Sequence, residues 1–498
     1  MASPVVSLPE FLQSTRHAGY RSPAHAIAEL VDNAVQAGAN TVDVRVLDGE
    51  DGMEVHVQDD GEGMDVDVLS AALCFGGSSR YGDREGMGRF GMGLPTSSLS
   101  QARRVDLYSW QRGAAPRHLW LDLDSLLSAG KMLPEASEAP LPVNALPFGA
   151  RGTLVRWSRC DRLEGHRPGA LVRELGRSLG RTFRYFIWEG LTLRVNGAPC
   201  PPLDPLMLDL RAPFSGATRF GEPLRLAVRT TLGAGEVIVK FSELPVKQWH
   251  ELSNADKRRA GITKGGGVSV IRAGREVDSG WLFMGEKRRE NYDDWWRCEV
   301  AFPPTLDETF GLTYTKQQVR PSPELIEALT PEISAVAHAL NSRVRRAHRT
   351  LQARVRYAAS ETKATEVEGR MRPLPPPEPL KGGLAERIAA LWPDALVPPE
   401  HPDVRIVEDD LGPAPLFEVL RVPNRLVVVW NTAHPFYLRA YAPLAASEEP
   451  GSAERRAHLE LLVVAMARSE VARAAAPRIE VETFRAAWSA TLAELVKD

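Results

Sequence analysis

The stretch from Ala24 to Met64 places the strongest constraint on how this chain can fold. Its first half has apolar residues at three- and four-residue spacing, the pattern of a helix with one buried face. Glu29 and Asn33 stand four residues apart, so both project from the same side of that helix. A carboxylate and an amide placed in this way can hold a magnesium ion and a water molecule together.

The second half of the stretch predicts a strand that ends in a glycine-rich turn. Residues Met53–Gln58 alternate, and the chain continues as Asp59-Asp60-Gly61-Glu62-Gly63-Met64. Glycine at such a strand end lets the backbone approach a ligand closely. Each piece alone has an ordinary explanation, because Glu and Asn on a helix are usually solvated and Asp-Gly usually marks a turn. The order of the pieces is therefore what carries information.

A third glycine-rich segment follows, with Gly76-Gly77-Ser78-Ser79-Arg80 and then Gly86-Met87-Gly88-Arg89-Phe90-Gly91-Met92-Gly93-Leu94. A Glu/Asn helix, a strand ending in Asp-Gly-x-Gly-Met and a lid with Gly-x-x-Gly-x-Gly resemble the nucleotide-binding motifs of the GHKL ATPase superfamily. That superfamily joins DNA gyrase-type topoisomerases, the ninety-kilodalton heat-shock chaperone, sensor histidine kinases, MutL and the MORC proteins. The resemblance implies an ATPase that uses ATP and Mg²⁺ as cofactors.

The resemblance also implies a role for individual residues. Glu29 would polarise the attacking water, and Asn33 would bind the metal. Asp59 would accept a hydrogen bond from the adenine amino group, supported by Thr153 of Arg151-Gly152-Thr153, although a lone Gly-Thr is usually just the start of a strand. The other residues expected to contact the nucleotide are Gly61, Gly63, Met64, Gly88, Arg89, Phe90, Gly91, Met92 and Gly93.

One position departs from the family pattern. Several relatives carry a phosphate-binding lysine just after the last glycine and hydrophobic residue of the lid, where this chain has Pro95. Proline is acceptable in the first turn of a helix because its missing N–H would be unpaired there anyway. The phosphates would then depend on backbone N–H groups of Gly91–Gly93 and on the helix N-terminus, with Arg89 adding charge.

A second segment resembles the transducer domain of MutL- and MORC-like proteins. Residues 265–276 read as a strand, a tight turn and the next strand, and Phe310–Gln318 contains Lys316. In topoisomerase and MutL relatives, a transducer loop sends a lysine to the terminal phosphate of ATP. The resemblance assigns that role to Lys316, whereas a lone lysine would ordinarily be solvated.

A long helix is predicted from Pro323 onward, and it becomes rich in arginine. Such a density of positive charge can follow a nucleic-acid phosphate backbone. A solvated stalk helix with its charges spread around it explains the same pattern equally well. The predicted DNA-binding residues are Arg343, Arg345, Arg346, Arg349, Arg354 and Arg356.

A chain of 498 residues is too long for a single core. The predicted fold class is α/β: a Bergerat-type ATP-binding α/β sandwich at 1–200, followed by a transducer α/β domain with the arginine-rich helix at 201–358. A proline-rich linker at 359–383 would lead to a small C-terminal α/β domain at 384–498. In that last domain the polar stretch Trp430–Tyr437 is interpreted as capping the next helix.

Composition narrows the class of protein and its location. The net charge of −3 predicts no general attraction to nucleic acid, so DNA binding would need a local basic patch. The four cysteines are scattered without a Cys-x-x-Cys pair, which argues against a zinc site or disulfide framework and favours a reducing cytosol. We expect a cytoplasmic protein with no signal peptide, no membrane span and no membrane partner.

The sequence favours a prokaryotic MORC- or MutL-like ATPase over other members of the superfamily. A sensor kinase would need a phosphoacceptor helix ahead of the ATP domain, and a topoisomerase or heat-shock chaperone would need larger domains after it. The predicted protein is an ATP-dependent clamp that forms a homodimer through its ATPase domain, with the arm at 1–20 crossing to the partner. It would act on duplex DNA in genome defence, with an effector protein as a further partner; the alternative is a chaperone-like switch that gates a protein.

Overall fold

The computed structural model describes residues 8–17, 19–20, 22–77, 91–128, 134–146, 149–163, 167–212, 214–312, 316, 318–371, 373–380, 382–473 and 478–495. The chain divides into two compact units. The first comprises Met1–Pro245 and Glu251–Asn341, and the second comprises Val246–His250 and Ser342–Asp498. Both units combine sheets with helices, which confirms the predicted α/β class.

The N-terminal part of the first unit is built on a mixed sheet. Its strands are β1 Thr41–Gly49, β2 Gly52–Asp59, β3 Arg104–Trp110, β4 Arg117–Asp122, β5 Ser137–Glu138, β6 Gly152–Ser158, β7 Thr192–Val195 and β8 Ala198–Pro199. They lie in the order β5-β4-β3-β6-β2-β1-β7-β8. The alternation of Thr41–Val46 and Met53–Gln58 on either side of an Asp-Gly turn predicts an antiparallel hairpin. The structure confirms it, because β1 and β2 pair antiparallel from Val42 opposite Asp59 to Gly49 opposite Gly52.

Helices in the same part of the chain supply the apolar side chains that pack with this sheet. They are α1 Leu8–His17, α2 Pro23–Gln36, α3 Val66–Ala72, α4 Gly93–Gln101, α5 Leu123–Ser128, α6 Pro168–Thr182 and α7 Arg184–Trp188. Helix α2 begins at a proline, as a first helical turn permits. Its Ile27, Leu30 and Val31 are buried in one core with strand residues such as Val42 and Val57. The core therefore fixes which side of α2 faces the sheet.

Two features of this region differ from the sequence expectations. Residues 1–23 are expected to dock loosely, but in the described part of the arm Leu12 of α1 is fully buried and Arg16 pairs with Asp161 at 2.7 Å. The sequence also predicts a single helix over Ala170–Ile187, but the structure has two helices, α6 and α7, separated at Phe183 (φ −105°, ψ 18°). Phe183 is fully buried there, so tertiary packing outweighs the helical propensity of the surrounding residues.

A second sheet completes the first unit. Its strands are β9 Thr218–Arg219, β10 Leu224–Arg229, β11 Ala234–Glu243, β12 Val268–Arg272, β13 Arg275–Gly280 and β14 Trp296–Phe302. They lie in the order β10-β11-β14-β12-β13, with β9 beside β11. The sequence predicts one helix near Trp249–Arg259, whereas the structure has two short helices, α8 Val246–Trp249, which belongs to the second unit, and α9 Asn254–Arg259. The buried residues of the long helix α10 Pro323–Glu368 that belong to this unit, such as Leu325, Leu329 and Ile333, pack in the core of this sheet.

The second unit has its own sheet and core. Its strands are β15 Asp403–Asp409, β16 Phe417–Val422 and β17 Arg425–Asn431, in the order β15-β17-β16, and its later helices are α11 Gly383–Leu391, α12 Ala442–Ala446, α13 Ser452–Ala472 and α14 Arg478–Leu495. Trp430, Tyr441 and Phe417 are fully buried in its core. The Asn431 side chain bonds surrounding backbone groups, including the Ala433 N–H at 3.0 Å, so its role is structural.

The end of α10 lies beyond the boundary that the sequence predicts. Residues 359–383 are expected to form a linker, but the helix continues to Glu368. Alanine, glutamate and lysine between 358 and 368 favour helix, and the prolines of the predicted linker begin only at Pro373. The segment that can act as a linker is therefore shorter than predicted.

Candidate nucleotide-binding site

A cavity of about 710 Å³ lies in the first unit, within the size range of small-molecule sites. It brings together ten of the predicted site residues: Glu29, Asn33, Asp59, Gly63, Met64, Gly91, Met92, Gly93, Thr153 and Lys316. The Gly61 N–H donates to Asp59 next to the cavity. The predicted contacts Gly88, Arg89 and Phe90 lie outside the described residues. The helix, the strand ends and the segment that carries Lys316 therefore meet at one place.

The end of β2 forms one wall of the cavity. Asp59 Oδ1 accepts a hydrogen bond from the Gly61 N–H at 2.8 Å, and Asp59 lies opposite Thr153 of β6. Burial raises the pKa of Asp59 to about 7. A Cβ on Gly63 would lie 2.2 Å from the Trp110 carbonyl oxygen, and Gly63 has φ +71°. Only glycine can therefore occupy this position without moving the backbone.

Ser109 holds this wall together, and the sequence gives no signal for it. Its hydroxyl accepts from the Met64 N–H at 2.8 Å, donates to the Gly152 carbonyl at 3.2 Å and lies 3.4 Å from the Thr153 hydroxyl. Ser109 is buried near the end of β3. A serine inside a strand has no distinctive spacing, so only the paired strands reveal that it links Met64 to Thr153.

The opposite wall comes from α2. Glu29 is 3% exposed, and Asn33 follows one turn later. Within the described residues, no hydrogen bond engages the Asn33 side-chain amide, so its oxygen can serve as a metal ligand. Mg²⁺ usually takes few protein ligands and completes its shell with water and phosphate oxygens, so Asn33 fits as such a ligand. A Cβ on Gly93, at the start of α4, would lie 3.2 Å from Glu29 Oε2, which places the last lid glycine beside the carboxylate.

Lys316 reaches this wall from the far end of the first unit's sequence. Its Nζ donates to Glu29 Oε2 at 3.1 Å and to Asp32 Oδ2 at 2.9 Å. Arg275, the first residue of β13, donates to Asp32 Oδ1 at 2.8 Å and to Glu29 Oε1 at 3.4 Å. No motif in the sequence indicates either Asp32 or Arg275 as a site residue. The structure therefore gives Glu29 two cationic neighbours and one anionic neighbour.

The surroundings of Glu29 shift its acidity. Burial is the largest cause and raises the pKa of Glu29, aided by the Asp32 carboxylate and opposed by Lys316 and Arg275. The net direction is upward from the ordinary value of a glutamate. A general base is most effective when its pKa lies closer to the working pH, so this environment suits a group that accepts a proton from water.

The arginines of α10 are arranged unevenly. Arg343, Arg345, Arg346, Arg349 and Arg354 are exposed, and Arg354 pairs with Asp394. Arg356 is only partly exposed, and its Nη1 donates to Glu408 Oε1 at 2.7 Å. Arg356 therefore contributes to packing within the second unit, and a phosphate would have to compete with Glu408 for it.

The fold and the cavity define an α/β domain whose pocket has a carboxylate and a lysine at one end. The family described as histidine kinase-, DNA gyrase B-, and HSP90-like ATPase matches residues 20–153, which hold α2, the end of β2 and Thr153. Residues 20–153 are thus similar to an ATPase domain of the GHKL type. A comparison with curated proteins gives no match. Among the described helices, none has the length and apolar character needed to cross a membrane.

Proposed function

We propose that this protein is an ATP-dependent molecular clamp of the MORC- or MutL-like kind. It binds MgATP, closes as a homodimer through its ATPase domains, hydrolyses ATP slowly and acts on DNA in genome defence or maintenance. One observation carries the proposal: Lys316, 287 residues after Glu29, lies 3.1 Å from that carboxylate inside the cavity that Asn33 and Asp59 also line. Lys316 follows the second sheet of the first unit in the sequence. In a clamp, such a lysine would contact the terminal phosphate of ATP and so connect that sheet to the nucleotide.

Each residue has a role in the proposed mechanism. Asp59 and Thr153 hold adenine, backbone N–H groups of Gly91–Gly93 hold the phosphates, and Asn33 would hold Mg²⁺. When bound, the metal neutralises phosphate charge. Glu29 orients and deprotonates the attacking water, and Lys316 stabilises the charge that develops on the terminal phosphoryl group. Hydrolysis releases this contact, so ATP acts as a timer for the closed state.

Closure of the clamp is expected to bring the two N-terminal arms together. We expect a disulfide between two copies of a Glu10→Cys variant to form several times faster with a non-hydrolysable ATP analogue than without nucleotide. Glu10 is exposed on α1, and Cys74 is an exposed native thiol, so the test uses a Cys74→Ser background. Non-reducing electrophoresis measures the crosslink.

A matched cysteine keeps this test specific. Glu174 is exposed on α6, and Glu174→Cys in the same background reports general association of the chains. An equal gain at both positions would indicate aggregation, and no gain at Glu10 would contradict closure through the arms.

DNA binding is expected to depend steeply on salt. If five exposed arginines of α10 contact phosphates, affinity for duplex DNA should fall by about 10²–10³ between about 50 and 200 mM salt, because each contact releases condensed counterions. Arg343→Glu with Arg345→Glu and Arg346→Glu should abolish binding and leave basal ATP turnover intact. Fluorescence anisotropy with duplexes of unrelated sequence measures both the affinity and the absence of sequence preference.

The control for this variant carries the same change of charge elsewhere. Arg173→Glu, Arg177→Glu and Arg258→Glu alter exposed arginines of the first unit, and should leave DNA affinity within about threefold. A wild-type protein that ignores DNA at low salt with an ATP analogue bound would favour the second candidate, a chaperone-like switch that gates a protein partner. The pairing of Arg354 and Arg356 with carboxylates is the observation that supports this alternative.

A further inference from the structure

Arg275 occupies a position that the proposed reaction leaves unexplained. It begins β13, 243 residues after Asp32 in the sequence, and its side chain is 4% exposed. Its Nε lies 2.8 Å from Asp32 Oδ1, its Nη2 lies 3.4 Å from Glu29 Oε1, and its Nη1 lies 3.3 Å from the Lys316 carbonyl oxygen. One guanidinium thus contacts both carboxylates and the segment that carries the lysine.

The four charges form a closed ring. Each carboxylate gives one oxygen to each cation: Glu29 Oε1 and Asp32 Oδ1 face Arg275, while Glu29 Oε2 and Asp32 Oδ2 face Lys316. The two cations differ in kind. Lysine is a point charge on a flexible stem, whereas the guanidinium is planar and keeps its charge when buried. Arg275 is therefore suited to hold an orientation, and Lys316 is suited to move.

The backbone beside Arg275 is anchored as well. Glu276 accepts from Arg181 Nε of α6 at 2.6 Å and also pairs with Arg184 of α7. Arg184 is fully buried and donates to Glu299 Oε2 at 2.7 Å. The turn between β12 and β13 is thereby fixed to the helices of the nucleotide-binding part. The Asp32 carboxylate and the Glu276 backbone carbonyl oxygen, which lies 3.5 Å from Arg275 Nη1, leave the guanidinium little freedom.

We propose that Arg275 and Asp32 are a positioning pair for ATP hydrolysis, an inference that rests on the proposed function. When Lys316 turns from the ring toward the terminal phosphate, Glu29 loses one of its two cationic contacts. Arg275, held by Asp32, keeps the second contact and so keeps the Glu29 carboxylate aimed at the attacking water. Positioning of this kind matters because small displacements of a catalytic group greatly reduce the rate.

Separate measurement of ATP affinity and turnover tests the pair. Arg275→Gln is expected to lower kcat by about 10²-fold while ATP affinity stays within about threefold, since the lost group acts on Glu29 and not on the nucleotide. Arg275→Lys should recover part of kcat, because it restores the charge without the planar fork. Binding is measured with a fluorescent ATP analogue, and chemistry is measured in single-turnover experiments.

The double variant Asp32→Asn with Arg275→Gln distinguishes positioning from simple stability. Neutralising both partners leaves no unpaired charge between them, so the unfolding temperature should exceed that of Arg275→Gln alone. If the pair positions Glu29, kcat stays low in the double variant; recovery of kcat together with stability would overturn the proposal. This variant also keeps the test informative if Arg275→Gln does not fold.

Arg485→Gln is the matched control. It removes another buried arginine that bridges two carboxylates, Glu418 and Glu470 of the second unit, so it should lower the unfolding temperature without a comparable split between kcat and ATP affinity. Wild-type hydrolysis that is lost in Glu29→Gln but unchanged in Arg275→Gln would refute the positioning pair alone. Absence of hydrolysis in the wild-type protein would instead refute the proposed function.

Discussion

Glu29→Gln is expected to lower the kcat for ATP hydrolysis by about 10²–10⁴ while ATP affinity stays within a few-fold of wild type. Glutamine keeps the shape and one oxygen but cannot accept a proton from water. Glu29 is buried against Lys316 and Arg275, and its own contact in the proposed mechanism is with water and not with ATP. Steady-state phosphate release together with equilibrium binding of an ATP analogue checks both parts of this expectation.

The dependence of kcat on pH is an independent test of the role of Glu29. Burial raises the pKa of Glu29, so a wild-type enzyme that needs its ionised form should lose kcat on acidification at a higher pH than an exposed glutamate would require. The residual activity of Glu29→Gln should not show this loss of kcat on acidification. Glu174→Gln, the same substitution at an exposed position on α6, should match wild type. Turnover by Glu29→Gln at the wild-type rate would show that another group activates the water.

Local pattern was enough to predict the N-terminal part of the fold. The apolar spacing of α2 and the alternation of β2 are properties of short segments, and the structure confirms both with nearly the predicted bounds. Turn chemistry also acts locally, so the glycines after Asp59 fall where the strand ends. The site residues that followed from these motifs line a single cavity because α2 and β2 pack in the same core.

Asp32 and Arg275 were missed because their significance is not local. An aspartate beside Asn33 on a helix is usually solvated, and an arginine that begins a strand usually lies at a surface. Nothing within ten residues of either indicates that they pair with each other. Only the folded chain brings Arg275 of β13 into contact with Asp32 and Glu29 of α2, where both Asp32 and Arg275 are buried, and burial is what turns an ordinary ion pair into a determinant of the site.

Element ends were harder to predict for the same reason. The break at Phe183 contains neither proline nor glycine, and it follows from the burial of that ring and of Arg184 beside it. The extension of α10 to Glu368 reflects contacts within the second unit, such as the pairing of Glu368 with Arg468 at 2.6 Å. Tertiary packing decides the break at Phe183, whereas helix-favouring residues and a tertiary contact together carry α10 to Glu368.

Lys316→Met is expected to lower kcat by about 10²–10³, equivalent to about 2.7–4 kcal/mol of transition-state stabilisation. Methionine keeps most of the apolar stem, so the loss reports the missing ammonium charge. In the described structure that ammonium lies 2.9 Å from Asp32 and 3.1 Å from Glu29, at the edge of the cavity where the terminal phosphate is proposed to bind. Asp32 still pairs with Arg275 in the variant, so the fold should survive.

A comparison with a second lysine tests whether the charge of Lys316 acts on ATP hydrolysis itself. Lys264→Met makes the same substitution at an exposed lysine of the first unit and should leave kcat unchanged. If Lys316 stabilises charge that develops on the phosphoryl group, its loss lowers kcat far more than ATP affinity, and Lys316→Arg restores part of the rate. A proportional loss of affinity, with kcat preserved, would mean that Lys316 binds the ground-state nucleotide. The second sheet would then sense the presence of ATP without taking part in its hydrolysis.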